Sequence, residues 1–196
     1  MREVRYGTVA ILLHWVVAAG VLALITIGLA MTHLTLAPMR QFALYQLHKS
    51  TGITVLAAMV LRVAWRLGHA PPALPAMPRA ERRAASATHL GLYALLLAMP
   101  LSGWAVVSAS PYDIPTVLYG LVPWPHLPWL STLHDKAPVE AALAAAHAYG
   151  GWTLTALIGL HAAAALRHHL ILRDAVLWRM LPLLSRPPRA SHRISP

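Results

Sequence analysis

The sequence predicts an all-α membrane protein, a four-transmembrane-helix bundle, and three observations support this fold class. Of the 196 residues, 58% are hydrophobic and only 11% are charged, with a mean hydropathy of +0.56, which is more apolar than an ordinary soluble domain. Four apolar segments each approach the ~20 residues that a helix needs to cross a bilayer. The basic residues flank these segments, so the net charge of +10 indicates membrane topology instead of nucleic-acid binding.

The predicted spans follow one another along most of the chain. From the N-terminus they cover residues 9–31, 47–65, 89–107 and 147–168. We expect one transmembrane domain over residues 1–182, followed by a basic, disordered cytoplasmic tail over residues 183–196. The connection 108–146 is rich in Pro and Trp, so we expect it to be ordered at the membrane interface, with room for a short helix.

The basic residues also predict how the bundle is oriented. All but three of the 16 lysines and arginines belong to the N-terminus, the connection after the second span or the tail. The exceptions, Arg40, Lys49 and Lys136, fall on the opposite side. Since cytoplasmic loops carry the excess of Lys and Arg, both termini are predicted to be cytoplasmic.

Histidine is the residue type that carries the chemistry. The chain has 12 histidines and no cysteine, which excludes thiolate ligands, iron–sulfur clusters and covalent haem attachment. His147 and His161 lie 14 positions apart in the last span, a rise of roughly 21 Å over nearly four turns. Their rings therefore face the same way, one near each side of the bilayer. Because imidazole in hydrocarbon needs a partner, two stacked haem irons are the simplest interpretation.

A haem with two imidazole ligands requires histidines from two helices at one depth. The span directions pair His48 with His147 at the outer level and leave His14, His89 and His161 at the inner level. A porphyrin against a helix needs a small residue one turn from its ligand. The residue four positions after the histidine is small in four cases: Ala18 after His14, Gly52 after His48, Gly151 after His147 and Ala165 after His161. After His89 it is Tyr93, which is bulky.

We therefore predict His14 and His161 as ligands of the inner haem iron, and His48 and His147 as ligands of the outer one. His89 is expected beside the inner haem, where it could bind a propionate or line a quinone or proton path. A shared zinc ion is disfavoured, because zinc needs a tight tetrahedral cluster. A non-redox scaffold, with its histidines in interhelical hydrogen bonds, is the remaining alternative.

Four stretches of the chain resemble the bacterial cytochrome b561 family: RYGTVAILLHW, QLHKSTGI, THLGLYALLLAMPLSGW and HAYGGWTLTALIGLHAAAALRHH. The end of the last stretch, followed by LWRMLP, is most similar to the small di-haem superoxide oxidases of that family. The resemblance implies haem ligands from the first, second and fourth helices. At the matching positions these are His14 in LLHW, His48 in LHKS, His147 in AHAYGG and His161 in GLHAAAAL.

The resemblance also implies an activity. A member of this group is an oxidoreductase of the bacterial inner membrane that oxidises periplasmic superoxide to oxygen. It passes the electrons through two haem b groups to ubiquinone, with no obligate protein partner and no nucleic acid. Superoxide is an anion, so Lys49 beside His48 could steer it; pairing with an outer-haem propionate is an equally good role for this lysine. The alternative function is a cytochrome b subunit that moves electrons between the quinone pool and a partner dehydrogenase, hydrogenase or periplasmic carrier.

Overall fold

Four long helices form the body of the computed structural model, which describes residues 5–72 and 77–181. They are α1 (Thr8–His33), α2 (Pro38–Gly68), α3 (Arg79–Ser108) and α5 (Ala137–Arg167), and α5 continues into a π-helical turn, His168–Leu172. Each is long and apolar enough to cross a membrane. The predicted fold class is therefore confirmed, while the predicted tail over 183–196 lies outside the described residues.

Three of the helices begin nine or ten residues before the predicted spans. Helix α2 begins at Pro38, α3 at Arg79 and α5 at Ala137. Hydropathy detects only the part of a helix that lies in hydrocarbon, whereas these helices continue into the polar zone. Prolines in the first turn of α2 and of α5 favour the early starts, because a first-turn proline gives up no intrahelical hydrogen bond.

Arg62 and Arg66, which the sequence assigned to the connection between the second and third spans, lie within α2 instead. Arg62 is half-buried and its Nε donates to the Tyr93 hydroxyl of α3 at 3.1 Å. A charged residue this far inside a membrane helix needs such a partner. This correction places a cation in the inner half of the bundle.

The helices pack as two close pairs, α1 on α2 and α3 on α5, joined by contacts between α2 and α3. A small buried core lies where all four helices meet, and it includes Val21, Val55, Met59, Leu92 and Leu154. Leu154 is seven residues from His147 and seven from His161, so this apolar layer lies midway between the two histidine levels. Many large apolar side chains on the outside of the helices are exposed, as expected for surfaces that face lipid.

Glycines allow the closest approaches between helices. A Cβ on Gly20 would lie 2.6 Å from Val55 Cγ2, and one on Gly150 would lie 2.6 Å from Met99 Sδ. Both distances are shorter than van der Waals contact, so only glycine fits without a shift. Small residues serve this purpose at membrane helix interfaces generally.

The connection between α3 and α5 is ordered and contains the expected short helix, α4 (Pro128–Ser131). It also contains an antiparallel hairpin that was not predicted, β1 (Thr116–Leu118) and β2 (Val122–Trp124), with Thr116 opposite Trp124. Strands of three residues are too short to show a hydrophobic period. The one sequence feature that could have indicated the turn is the pair Tyr119-Gly120. In the structure these residues form the turn with positive φ angles of 51° and 74°.

Candidate functional site

The outer histidines, His48 of α2 and His147 of α5, face each other with ring centres 6.3 Å apart and planes at 79°. The Ser102 hydroxyl donates to the Met99 carbonyl at 2.9 Å and lies 2.9 Å from His147 Nδ1. A hydroxyl has one hydrogen, so a Ser102 hydroxyl that donates to Met99 can only accept from Nδ1 in the second contact. Nε2 of His147 is then unprotonated and free to bind a metal.

Two glycines give the outer rings their space. A Cβ on Gly103 of α3 would lie 3.1 Å from His147 Cε1, and one on Gly28 of α1 would lie 3.5 Å from His48 Cε1. The first contact is tighter than side chains normally make, so Gly103 lets the His147 ring lie against α3. Nδ1 of His48 is buried and makes no hydrogen bond of normal geometry in the described part of the chain, although the Leu24 backbone lies beside the ring.

Three histidines meet at the inner level. The ring centres of His14 and His161 are 6.3 Å apart with planes at 65°, and those of His89 and His161 are 5.4 Å apart. His14 and His161 are half-buried, whereas His89 is exposed. The Arg62 guanidinium is near enough to act electrostatically on all three rings.

The spacing of two of these pairs suits a shared metal. A metal bound to two imidazoles at roughly 2.0–2.1 Å from each nitrogen holds the ring centres roughly 6 Å apart. The 6.3 Å pairs, His48–His147 and His14–His161, meet this requirement, and the His89–His161 pair is shorter. Over residues 5–72 and 77–181, no three His, Asp or Glu side chains cluster to hold one ion, so the arrangement does not suit structural zinc.

Two cavities border the outer pair. The larger, of about 310 Å³, is enclosed mainly by apolar side chains, among them Val21, Leu24 and Leu154. The smaller, of about 130 Å³, lies under the hairpin and is lined in part by Lys49, Thr116 and Trp124. His48 and His147 line both cavities. Open space beside the paired rings is what a flat macrocycle needs, so these residues fit a haem.

The three outer cations have different surroundings. Nζ of Lys49 donates to the Pro115 carbonyl at 3.2 Å, and Gln46 donates to the same oxygen at 2.9 Å. Lys136 forms an ion pair with Asp113 at 2.5 Å, and Arg40 is exposed near the start of α2. Of the three, Lys49 is the one that lines a cavity beside the histidines.

Several residues of the site were not singled out in the sequence. Ser102 and Gly103 stand in PLSGW, and Thr116 and Trp124 stand in the hairpin. Their roles depend on contacts between distant segments, which no local pattern reveals. Arg62 could have been found, because a lone arginine in an apolar stretch is a recognised signal of a functional site.

Comparisons with known proteins agree with this architecture. The family model described as prokaryotic cytochrome b561 matches residues 5–183. The chain is 35% identical over 178 residues to cytochrome b561 homolog 2 of Escherichia coli (strain K12), covering 90% of this chain and 91% of that protein. It is 29% identical over 184 residues to the probable superoxide oxidase CybB of Yersinia pestis, covering 91% and 96%. It is also 29% identical over 136 residues to cytochrome b561 homolog 1 of E. coli (strain K12), covering 69% and 73%.

The comparisons and the geometry point to one family. The match extends over nearly all of the described residues, including every helix that carries a paired histidine. Members of the family are helical-bundle membrane proteins that bind b-type haem and transfer electrons. The chain belongs to the prokaryotic cytochrome b561 family.

Proposed function

We propose that this protein is a di-haem b oxidoreductase of the bacterial inner membrane that oxidises periplasmic superoxide and reduces ubiquinone. The observation that carries the proposal is the presence of two imidazole pairs with 6.3 Å spacing, at opposite ends of one four-helix bundle. The relative from Y. pestis, named a probable superoxide oxidase, supports the choice of substrate.

The ligands in this proposal are His48 and His147 for the outer haem, and His14 and His161 for the inner haem. Bound haem would supply reversible one-electron chemistry, with a potential that its surroundings tune. Because each haem would be held by two histidines, it would supply electron transfer and would not itself bind an oxygen species. By accepting from Nδ1, Ser102 would hold His147 in the tautomer that ligation requires, as partners of metal-bound histidines generally do.

The reaction balances with the two substrates named. Each superoxide anion gives up one electron and becomes oxygen. Two superoxide anions supply two electrons, and with two protons these convert one ubiquinone to ubiquinol. The proposal needs no other oxidant or reductant and no protein partner.

Lys49 has the placement that attraction of superoxide requires. It is half-buried, carries its charge into the smaller cavity beside the outer pair, and has an uncharged partner, the Pro115 carbonyl. A positive charge at an entrance raises the encounter rate of an anion, and salt screens the effect. Lys136 lacks this advantage because Asp113 neutralises it.

The orientation in this proposal follows from charge. The outer connections, residues 34–37 and 109–136, contain one basic residue, Lys136. The N-terminal segment, residues 1–7, contains two, and five more lie on the helix ends that flank the connection between α2 and α3, namely Arg62, Arg66, Arg79, Arg82 and Arg83. This excess places both termini in the cytoplasm. The hairpin and the outer histidine pair then face the periplasm.

Stopped-flow mixing of the purified protein with superoxide tests the function directly. We expect superoxide to reduce the haems during the mixing experiment, and we expect quinol to form when a soluble ubiquinone is added. Lys49→Met should slow the superoxide step and flatten its dependence on ionic strength, whereas Lys136→Met, the matched control, should change it little. Absence of haem reduction by superoxide would overturn the proposal. A stable dehydrogenase or hydrogenase in mild-detergent pull-downs would support the cytochrome b subunit instead.

A further inference from the structure

Two hydrogen-bond donors on the hairpin are buried without a partner. Thr116 is 3% exposed, and neither its Oγ1 nor Trp124 Nε1 has a hydrogen-bond partner among the described residues. The two residues are directly opposite in the hairpin register, so their side chains lie on one face. Both line the smaller cavity beside His48 and His147.

Several neighbouring polar groups do have hydrogen-bond partners. The neighbouring indole of Trp104, 5.5 Å from that of Trp124, donates its N–H to the Pro125 carbonyl at 2.9 Å. Ser50 and Ser108, also fully buried, both make hydrogen bonds to carbonyls. Buried donors are normally paired, and an exception indicates a missing ligand.

The chemistry of the cavity selects the ligand. Thr116 and Trp124 each offer a hydrogen, and Lys49 adds positive potential to the same space. No Asp or Glu is among the described residues that line this cavity. Donors and a cation without an acid suit an anionic oxygen. The larger cavity, which the two histidines also line, is mainly apolar, and a haem has one apolar edge and one edge with two carboxylates.

We infer that Thr116 and Trp124 hold a propionate carboxylate of the outer haem. The inference rests on the outer haem of the proposed function, and it gives the hairpin a role in fixing which edge of that haem faces outward. The inner haem has no such partner on the hairpin, so the effect is confined to one of the two haems.

Haem release from the full-length holoprotein tests the inference. Thr116→Val, Trp124→Phe and the double variant are purified in detergent and mixed with excess apomyoglobin, which takes up released haem. Loss of hydrogen bonds to a charged group should make one haem leave the double variant about tenfold faster, while the other keeps its wild-type rate. Thr116→Ser, which keeps the hydroxyl, should behave as wild type. Thr153→Val is the matched control, because the Thr153 hydroxyl is exposed and bonded to the Tyr149 carbonyl.

A redox titration gives a second readout. Removing donors from an ionised carboxylate leaves more negative charge near the iron, which favours the ferric state, so the outer potential should fall in the double variant. Unchanged haem release together with unchanged potentials overturns the inference. Unchanged haem release together with slower superoxide oxidation also overturns the inference, because the two donors would then bind a soluble anion and not a propionate. In either case, two haems in the wild-type protein leave the proposed function intact.

Discussion

The two ends of the bundle hold the same histidine spacing in different surroundings. At the outer end, His48 and His147 line two cavities, the smaller of which is also lined by Thr116 and Trp124 of the hairpin. At the inner end, a third ring, His89, lies 5.4 Å from His161, and Arg62 lies close to all three. The outer end places a cation, Lys49, at a cavity beside its histidines, whereas the inner end gathers a third histidine and an arginine.

This difference suits the two half-reactions of the proposed function. Oxidation of superoxide releases only an electron and oxygen, so the outer end needs attraction and access. Reduction of a quinone consumes two protons, so its site needs titratable groups within reach of the lipid. His89 is exposed and its ring centre lies 5.4 Å from that of His161, so we propose it for this role.

The largest expected effect is the loss of one haem, and which haem is lost should depend on which histidine is replaced. His147→Ala should remove the outer haem and His161→Ala the inner one, because the rise between them, roughly 21 Å, prevents either from replacing the other. Pyridine haemochrome analysis should give one haem per chain for each variant. His69→Ala is the control, since the His69 ring stacks on Trp65 away from both pairs. Two haems in either ligand variant would refute the assignment.

The next effect separates His14 from His89 at the inner end. His14→Ala should lose the inner haem, whereas His89→Ala should keep both haems and slow quinone reduction by about a hundredfold, the usual scale of general acid–base assistance. The measurements are haem content and the rate of ubiquinol formation from the prereduced protein. If His89→Ala loses a haem and His14→Ala does not, the ligand on that side of His161 is His89.

A smaller effect concerns the apolar layer that separates the two ends. Gly20→Ala would place a Cβ 2.6 Å from Val55 Cγ2, and overpacking of this kind costs about 1–3 kcal/mol. Gly159→Ala is the matched control: it is also in a helix, but a Cβ there meets nothing within 4 Å, so it should be neutral or slightly stabilising. Thermal loss of the Soret band in detergent compares the two. Equal melting temperatures would mean that α1 and α2 separate easily at this layer.

The sequence predicts the helices well because their signal is local. Apolar runs and the distribution of arginine identify four spans. The spacing of 14 residues places His147 and His161 on one side of a single helix, and no knowledge of the other helices is needed for this. The pairing of His48 with His147 follows from the alternating direction of successive spans. The structure brings these rings together without showing what they bind.

What the sequence does not predict depends on contacts between distant segments. Ser102 meets His147 across two helices, and Thr116 reaches the outer pair only because the hairpin folds back over α2. The exposure of His89 is likewise a property of the packed bundle, since its position in the sequence places it level with His14 and His161. The helix starts at Pro38 and Ala137 were missed because hydropathy does not register the polar ends of helices.

The smallest expected effect tests whether steering is local to Lys49 or a property of the whole outer surface. Asp113→Asn removes the partner of Lys136 and leaves one more uncompensated positive charge outside. Because Asp113 is exposed, with 61% of its side-chain surface accessible, the ion pair contributes at most about 1 kcal/mol to stability. Lys136 lines neither cavity beside the outer histidines, so its freed charge acts on superoxide less directly than that of Lys49. The rate of superoxide oxidation should therefore rise less than about twofold, far less than it falls in Lys49→Met. A rise in Asp113→Asn as large as the fall in Lys49→Met would show that total outer charge, and not the position of Lys49 beside His48, controls the encounter.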